Sequence, residues 1–473
     1  MNTRPLYLGG AWVASETTLR VHNPANGGQI GEVCTVGRPE VAKAIGCAHA
    51  ALPAWRALTG RERGERLRSV ADHLGRRRDE IARTITLENG KPLAQSLGEV
   101  AISIDHLLWF AEEARRAYGR VIPPQAQGKR HLVVKTPIGV VAAISPWNFP
   151  LMLAVRKVAP ALAAGCPVVL KPASATPLSA LLFAECVEAA GLPAGVFQVV
   201  LGHSAEIADE FLENALCRKI TFTGSTEVGQ LLIRGASRGV KPLSLELGGH
   251  APVLVFSDAD LNQAVETVMT AKFRNSGQSC IAANRIYVQK PVYEPFLAQF
   301  TKRTRDLKVG DGLEEGVQVG PVINQQGLDK ALEHIADARN RGARCLCGGG
   351  RMDRPGWFIE PTVLADVPEG ALCMKEETFA PVAPVCSFET EEEGVQRANA
   401  SPFGLSAYVC TRDLGRTFRL IDVLEAGTIA INEGAPATSQ CPFGGLKHSG
   451  WGRELGSEGL EAFLETKHVS ILL

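Results

Sequence analysis

Two side chains stand in local sequences that could present them to a ligand. Cys280 ends the hexapeptide 275–280 (NSGQSC), a small, polar turn with a glycine that lets the backbone approach a ligand and exposes a thiol whose anion is a nucleophile. Glu246 lies between apolar neighbours and precedes two glycines; such a setting raises the pKa of a carboxyl toward that of a general base. The alternatives are a buried structural thiol and an ordinary ion pair at a strand end.

Three further motifs follow apolar runs, where a parallel sheet exposes its ligand sites. Asn148, in the run 146–150 (PWNFP), has an amide that can donate to a developing oxyanion. Lys171, in 171–174 (KPAS), could reach a ribose or a phosphate, and the run 224–229 (GSTEVG) could offer backbone amides at a helix start. An aromatic turn, a surface lysine and a plain glycine turn are the alternatives. Gln230 and Leu231 exclude a Walker A loop.

The patterning around these motifs predicts an α/β protein. Helical spacing runs from Pro39 to about Tyr118 and is interrupted at residues 90–92. Short apolar runs then alternate with helical segments from Ile138, and a second such series starts near Pro252, which predicts two doubly wound sheets. Two outlying extended stretches, 131–135 and 467–473, could pair with each other or with another subunit.

Composition narrows the class of protein. The 473 residues are 45% hydrophobic and 21% charged, and 50 Lys and Arg balance 50 Asp and Glu, so no net field favours nucleic acid or a membrane surface. Twelve scattered cysteines without metal-like spacing fit a reducing compartment and indicate no metal site. No signal peptide or spanning segment is recognised, and a cytoplasmic protein is expected.

The order of the motifs resembles the aldehyde dehydrogenase superfamily along essentially the whole chain. The resemblance extends through residues 9–12 (GGAW), 88–92 (ENGKP), 442–445 (PFGG) and 449–450 (SG). It implies a discontinuous cofactor-binding domain (1–117 and 138–248), a catalytic domain (249–450) and a small β oligomerisation arm (118–137 and 451–473). A homodimer or homotetramer is therefore expected.

The resemblance also implies roles for single residues. Cys280 is the nucleophile, Glu246 is the base that hydrolyses the thioester, Asn148 and the Cys280 amide form the oxyanion hole, and Lys157 lies beside them. Cofactor contacts are implied at Ile144, Ser145, Trp147, Lys171, Pro172, Ala173, Ser174, Gly224, Ser225, Leu247, Glu377 and Phe379. Serine at position 174 replaces a glutamate common in NAD-restricted relatives and removes a charge that would repel a 2'-phosphate, so NADP is expected to be accepted or preferred beside NAD.

Substrate choice is predicted from two arginines that match tunnel positions of the family and from the loop 434–440, which departs from the usual succinate-semialdehyde pattern and leaves the chain length of the substrate open. Arg156 and Arg274 could bind a carboxylate bidentately, which is typical of succinate-semialdehyde dehydrogenases, and Thr438 and Ser439 are expected at the tunnel mouth. A structural ion pair is the alternative for each arginine. Relatives that act on 2-oxoglutarate or glutarate semialdehyde carry the same arginine pair and stay open.

Two hypotheses of other classes compete with this function. A dehydrogenase that transfers the acyl group to coenzyme A would differ at position 246, and a catalytically idle binding protein would have no reason to keep Cys280, Glu246, Asn148 and Lys171 together. Free acid is therefore the expected product.

Overall fold

A computed structural model describes residues 3–473. The part before the first large sheet consists of two small hairpins followed by four helices: β1 Leu6–Leu8, β2 Ala11–Val13, β3 Thr18–His22, β4 Gln29–Cys34, α1 Arg38–Ala57, α2 Gly60–Arg76, α3 Arg78–Asn89 and α4 Leu93–Glu113. The predicted interruption at 90–92 is the corner between α3 and α4, where Gly90 has a φ of 90°. A Cβ at this position would lie 2.7 Å from the Pro321 ring, so the corner requires glycine.

The first large sheet has six strands in the order β21-β11-β10-β7-β8-β9, where β21 is the short antiparallel strand Gly450–Trp451, and crossover helices join the parallel strands. Its consecutive elements are β7 Val140–Ile144, α5 Met152–Ala164, β8 Val168–Lys171, α6 Leu178–Ala189, β9 Phe197–Val199, α7 Ser204–Glu213, β10 Cys217–Thr223, α8 Thr226–Ala236 and β11 Leu243–Glu246. The apolar runs predicted as strands therefore form a doubly wound sheet, as expected.

The start of α6 is capped by a residue distant in sequence. Thr176 and Pro177 are residue types typical of a helix cap and of a first helical position, but the helix begins at Leu178 and no local side chain caps it. The free amides of Leu178 and Ser179 donate to the carboxylate of Glu88 at 2.7 and 3.0 Å. The carboxylate of Glu88 on α3, 90 residues earlier in sequence, therefore caps α6 in place of the local threonine.

The second large sheet has seven strands in the order β14-β15-β16-β13-β12-β18-β19, all parallel to their neighbours except β14. Its elements are β12 Ala251–Val255, α9 Leu261–Phe273, β13 Ala283–Gln289, α10 Lys290–Arg305, α11 Gln325–Asn340, β14 Arg344–Cys347, β15 Thr362–Ala365, α12 Leu372–Lys375, β16 Val382–Phe388, α13 Glu391–Asn399, β18 Ser406–Cys410, α14 Leu414–Val423 and β19 Thr428–Ile431. The prediction of two doubly wound α/β units is confirmed.

The two outlying stretches pair with each other. Strand β6 (Lys129–Pro137) runs antiparallel to β22 (Leu464–Leu472) over nine residue pairs, and β5 (Arg120–Ile122) adds to the other edge of β6. Together they form a three-stranded sheet, called the arm below. A minor sheet pairs β17 (Phe403–Gly404) with β20 (Leu446–Lys447).

The predicted arm segment 451–473 divides in the structure. Strand β21 (Gly450–Trp451) pairs with β11 of the first sheet, and Leu460 of α15 (Gly456–Glu461) is buried in the core beneath that sheet. Only residues 464–472 lie in the arm, because the apolar side chains before them are drawn into the first core. Within residues 3–473, no helix has the length and hydropathy needed to cross a bilayer.

Candidate active site

Cys280 follows a turn of three consecutive left-handed residues. Asn275, Ser276 and Gly277 have φ values of 52°, 57° and 74°, and a Cβ on Gly277 would stand 2.2 Å from the carbonyl oxygen of Ala380. Gly249 is equally constrained, since its Cβ would meet the carbonyl oxygen of Cys280 at 2.1 Å. Backbone strain of this kind persists only where the surroundings enforce it, and here it holds the thiol at the end of a cavity.

Glu246 faces Cys280 from the carboxyl end of β11. It is 2% exposed, and neither carboxyl oxygen has a nitrogen or oxygen hydrogen-bond partner in the described chain. Burial raises the pKa of Glu246 to about 7. The nearby Glu454 charge raises this pKa further, whereas the Lys157 charge lowers it. Burial, and then the Glu246 charge, also raise the pKa of the Cys280 thiol well above its ordinary value. A buried carboxylate with free lone pairs can accept a proton from the thiol or from a water.

The pKa of Glu246 predicts a pH profile for product release. The base is the ionised carboxylate, so thioester hydrolysis is expected to fall as the pH is lowered through about 7, where the group becomes protonated. Steady-state kcat measured across this range should show the inflection in the native protein. Glu246→Gln should lack it, and an unchanged inflection in that variant would assign the titration to another group.

Asn148 is anchored to the turn that carries Cys280. Its carbonyl oxygen accepts from Asn275 Nδ2 and from Lys91 Nζ, both at 2.7 Å, and its own Nδ2 donates to the carbonyl oxygen of Gln278 at 3.2 Å. The side-chain amide is therefore held two residues from the nucleophile. Polarisation of an aldehyde oxygen by this amide stays a prediction.

Lys91 and Glu99 form a buried ion pair that pattern reasoning missed. Lys91 Nζ lies 2.6 Å from a Glu99 oxygen, and the other Glu99 oxygen accepts from the amides of Leu151 and Met152 at 3.0 and 3.2 Å. One carboxylate thus caps the first turn of α5 and neutralises the lysine that holds Asn148. In the sequence, Lys91 was recognised only as part of a family motif. No local pattern predicts that Glu99, eight residues later, pairs with it and also caps α5.

Lys157 lies on α5 next to the catalytic pair. Its ammonium is fully buried and donates to Thr223 Oγ1 and to Glu454. Glu454 also raises the pKa of Glu246 and was not recognised in the sequence, because it lies in a segment predicted to belong to the arm. The predicted position of Lys157 beside the machinery agrees with this geometry.

The predicted cofactor residues converge at the carboxyl ends of adjacent parallel strands. Register pairs Ile144 with Lys171 across β7 and β8, and Thr223 with Glu246 across β10 and β11. The same edge carries, after these strand ends, Ser145, Trp147, Pro172, Ala173, Ser174, Gly224, Ser225 and Leu247. Ser225 caps the start of α8, and its hydroxyl accepts from the amide of Val228 at 3.4 Å.

Two buried polar groups at this sheet edge, on Lys171 and Ser145, have few or no hydrogen bonds among the described residues. Lys171 is 5% exposed, and burial lowers its pKa to about 8. Among the described residues, its ammonium reaches only the Pro172 carbonyl oxygen, at 3.4 Å. Ser145 Oγ is buried without any partner within residues 3–473. Because unpaired buried polar groups are costly, the edge fits a ligand rich in hydroxyl and phosphate oxygens, as a nicotinamide dinucleotide is.

Glu377 and Phe379 reach the same cleft from the second sheet. Glu377 Oε1 accepts from the Gly249 amide at 3.4 Å, and desolvation raises the pKa of this carboxyl to about 8. The Phe379 ring meets Trp147 edge-on at 5.4 Å between centroids. The two predicted residues are thus brought to the cleft between the sheets, where their contact with a cofactor stays a prediction.

A cavity of about 290 Å³ leads to the thiol and contains both predicted arginines. The Arg156 guanidinium lies 4.8 Å from the Phe443 ring centroid and the Arg274 guanidinium 5.2 Å from that of Phe149. In the described chain neither forms an ion pair, and Arg156 Nε is buried without a hydrogen-bond partner. The one carboxylate in the cavity wall, Glu99, is engaged by Lys91. The cavity therefore carries uncompensated positive charge beside a nucleophile.

Two predicted substrate residues do not line this cavity. Ser439 is 1% exposed and its hydroxyl is bound by Asp105 and His106, whereas Thr438 Oγ1 donates to Gln440 at 2.7 Å. Ala437 reaches the cavity instead. Asp105 and His106 of α4 hold Ser439 away from the cavity, and the contact of Thr438 and Ser439 with a substrate stays a prediction. In residues 3–473, no cluster of three or more His, Cys, Asp or Glu side chains could hold a metal ion.

Comparison with known proteins covers nearly the whole chain. The aldehyde dehydrogenase family model matches residues 12–469. A glutarate-semialdehyde dehydrogenase of Pseudomonas aeruginosa is 49% identical over 98% of this chain and 97% of its own length, and the NADP(+) succinate-semialdehyde dehydrogenase GabD of Escherichia coli is 48% identical with the same coverage. The crystal structure of a succinate-semialdehyde dehydrogenase from Burkholderia pseudomallei superposes with a TM-score of 0.98 at 45% identity, covering 99% of this chain and 98% of that one.

Proposed function

The chain belongs to the aldehyde dehydrogenase family, and from that premise we propose that it oxidises an aldehyde carrying a distal carboxylate, succinate semialdehyde first among them, to the free diacid. The observation that carries the proposal is the cavity that holds Cys280 together with Arg156 and Arg274, neither of which has a carboxylate partner in the described residues. Guanidinium groups bind carboxylates through paired, charge-assisted hydrogen bonds. The substrate carboxylate would form ion pairs with both arginines, and this would direct the aldehyde end toward the thiol.

The chemistry follows from Cys280 in the cavity wall and from Glu246, which faces it. Glu246 accepts the thiol proton, the sulfur of Cys280 bonds to the aldehyde carbon, and the aldehyde oxygen takes up the negative charge next to the Asn148 amide. Bound nicotinamide supplies the acceptor for the hydride of that carbon. Glu246 passes the thiol proton to solvent before the next step. It then takes a proton from a water that attacks the resulting thioester, the C–S bond breaks to release the acid, and the proton held by Glu246 returns to the Cys280 thiolate.

Cofactor choice is proposed to favour NADP while allowing NAD. Lys171 and Ser145, both short of partners, would hold the sugar and phosphate groups, and Ser174 places no charge near them. The similar Escherichia coli enzyme is named for NADP(+). Serine at position 174 is the local feature that supports this preference.

Restoring an acidic side chain should reverse that preference. Ser174→Glu is expected to lower kcat/KM for NADP by tenfold or more and to change the value for NAD by only a few fold, because a carboxylate repels a 2'-phosphate and can accept from a 2'-hydroxyl. The matched control is Ser174→Gln, similar in size and uncharged. Parallel losses with both cofactors in Ser174→Glu would separate position 174 from cofactor selection.

Chain length of the substrate is tested by a panel of aldehydes. The relatives include both succinate- and glutarate-semialdehyde dehydrogenases, and 2-oxoglutarate semialdehyde is a further candidate. We expect kcat/KM to be higher for these semialdehydes than for uncharged aldehydes of equal length, with NADP and with NAD. Comparable values for neutral aldehydes would refute the carboxylate role. Dependence of product formation on coenzyme A would refute the hydrolytic role of Glu246. If no aldehyde led to reduction of NADP or NAD, the result would favour the hypothesis of a catalytically idle binding protein.

Assembly, domain roles and location complete the proposal. The exposed apolar side chains Val121, Val469 and Leu472 of the arm suit contact with another copy of the chain, in a homodimer or homotetramer. The arm, a cofactor domain around the first sheet and a catalytic domain around the second sheet are proposed as the functional divisions. The protein is proposed to act in the cytoplasm.

A further inference from the structure

A second cavity lies where the arm meets the first domain. It has a volume of about 440 Å³ and is separate from the substrate cavity, with which it shares no lining residue. Its wall carries the cationic side chains of Arg56, Arg61, Arg63, Arg115 and Lys135, and no Asp or Glu is among the lining residues. A cavity lined by one sign of charge concentrates ions of the other sign.

Three of these five cations have no carboxylate partner in the described chain. Arg61 pairs with Glu65 at 2.8 Å, and Lys135 pairs with Glu461. Arg56 and Arg115 form no ion pair and are exposed, and Arg63 is 8% exposed. Burial lowers the pKa of Arg63, because the guanidinium is withdrawn from water.

The ends of three helices meet at this cavity and position the Arg63 guanidinium. A Cβ on Gly60 would stand 2.1 Å from the carbonyl oxygen of Ala114, so the start of α2 presses directly against the end of α4, beside Arg115. Arg63 Nε donates to the carbonyl oxygen of Ala163 at 2.8 Å, in the last turn of α5, and its Nη1 donates to that of Leu58. The buried guanidinium is therefore fixed by backbone contacts that leave its charge unmatched.

We propose that this cavity binds a small anion with two or more adjacent phosphoryl groups, as in a pyrophosphate or a nucleoside polyphosphate. Guanidinium forks match phosphoryl oxygens bidentately, and three unmatched guanidiniums require a ligand with several negative charges rather than one. The volume is in the range of ordinary small-molecule sites. Bound there, the anion would join the ends of α4 and α5 to the base of the arm.

Inorganic pyrophosphate tests this site in the full-length protein. Calorimetry at constant ionic strength, with NADP at saturation to occupy the cofactor's own phosphate contacts, is expected to show one binding event per subunit. Arg56→Ala combined with Arg115→Ala should weaken binding at least tenfold, because both groups are exposed and can be removed without disturbing the core. The same probe should raise the Tm of the native protein and not that of the double variant.

The matched control removes the same charge elsewhere. Arg78→Ala combined with Arg83→Ala takes two exposed, unpaired arginines from α3, outside the cavity, and should leave pyrophosphate binding unchanged. Absence of binding to the native protein, equal affinity in both double variants, or competition between pyrophosphate and the semialdehyde would each overturn the proposal. Unchanged kcat/KM in both double variants, measured in the absence of pyrophosphate, is the expected check that folding and the active site are intact.

Discussion

Glu246→Gln is expected to reduce one equivalent of NADP per active site and then nearly stop. The amide is isosteric but cannot accept a proton, so the thioester on Cys280 should persist while water attacks it slowly. Loss of the carboxylate removes the group that accepts the thiol proton, but it also removes a charge that raises the pKa of the Cys280 thiol. Water can then take the thiol proton, so the burst should be slower than in the native protein and still reach one equivalent. We expect steady-state turnover to fall by at least ~100-fold, within the usual contribution of general base catalysis.

Rapid mixing with detection of NADPH distinguishes the two residues. Cys280→Ala should show neither the burst nor the steady state, and mass spectrometry of Glu246→Gln should find the acyl group on Cys280 alone. Glu392→Gln and Cys441→Ala, at exposed positions, are the controls that should behave as the native protein. Native-like steady-state turnover in Glu246→Gln would show that another group activates the water.

Replacement of either cavity arginine is expected to change the choice of substrate more than the capacity for catalysis. Arg156→Ala and Arg274→Ala should each lower kcat/KM for succinate semialdehyde by about 10- to 100-fold, because a hydrogen bond to a charged group contributes about 1.5–3 kcal/mol. An uncharged aldehyde of equal length should lose no more than a few fold. Neither arginine has an ion-pair partner among residues 3–473, so its removal leaves no carboxylate unpaired and the fold should tolerate it.

The double variant and a control complete this comparison. Arg156→Ala with Arg274→Ala should prefer neutral aldehydes, whereas Arg83→Ala, at an exposed position on α3, should leave both substrate classes unaffected. The ratio of kcat/KM values reports transition-state discrimination directly. Equal losses for charged and neutral aldehydes would assign the arginines a structural role.

Local patterning was sufficient for most of the architecture and for the principal chemical groups. Alternation of apolar runs and helices reflects burial of each strand on both faces, which is why both sheets could be predicted. Cys280 stands after a turn whose glycine has a visible structural requirement, and Arg156 and Arg274 do meet in one cavity. Taken singly, each motif also allowed a purely structural role. Only the resemblance to a family assigned the motifs to one active site.

The errors and omissions share a physical origin in long-range contacts. Glu88 caps a helix that starts at residue 178, and Glu99 caps one that starts near residue 152, so no window of sequence around either cap contains the carboxylate. The burial of Ser439 was equally invisible, because its hydroxyl is bound by Asp105 and His106, more than 300 residues earlier. Glu454 was missed for the same reason, since its partner Lys157 lies on α5.

The Lys91–Glu99 pair and the cavity arginines would respond differently to evolutionary drift. Loss of either member of the buried pair strands the other charge, at a cost of about 3–5 kcal/mol, which is a large share of the stability of an ordinary domain. The arginines rest on aromatic rings, so an apolar side chain could replace either one without such a loss. After gene duplication, a descendant could therefore acquire a new aldehyde through one or two cavity substitutions, while selection for folding keeps the helix cap unchanged.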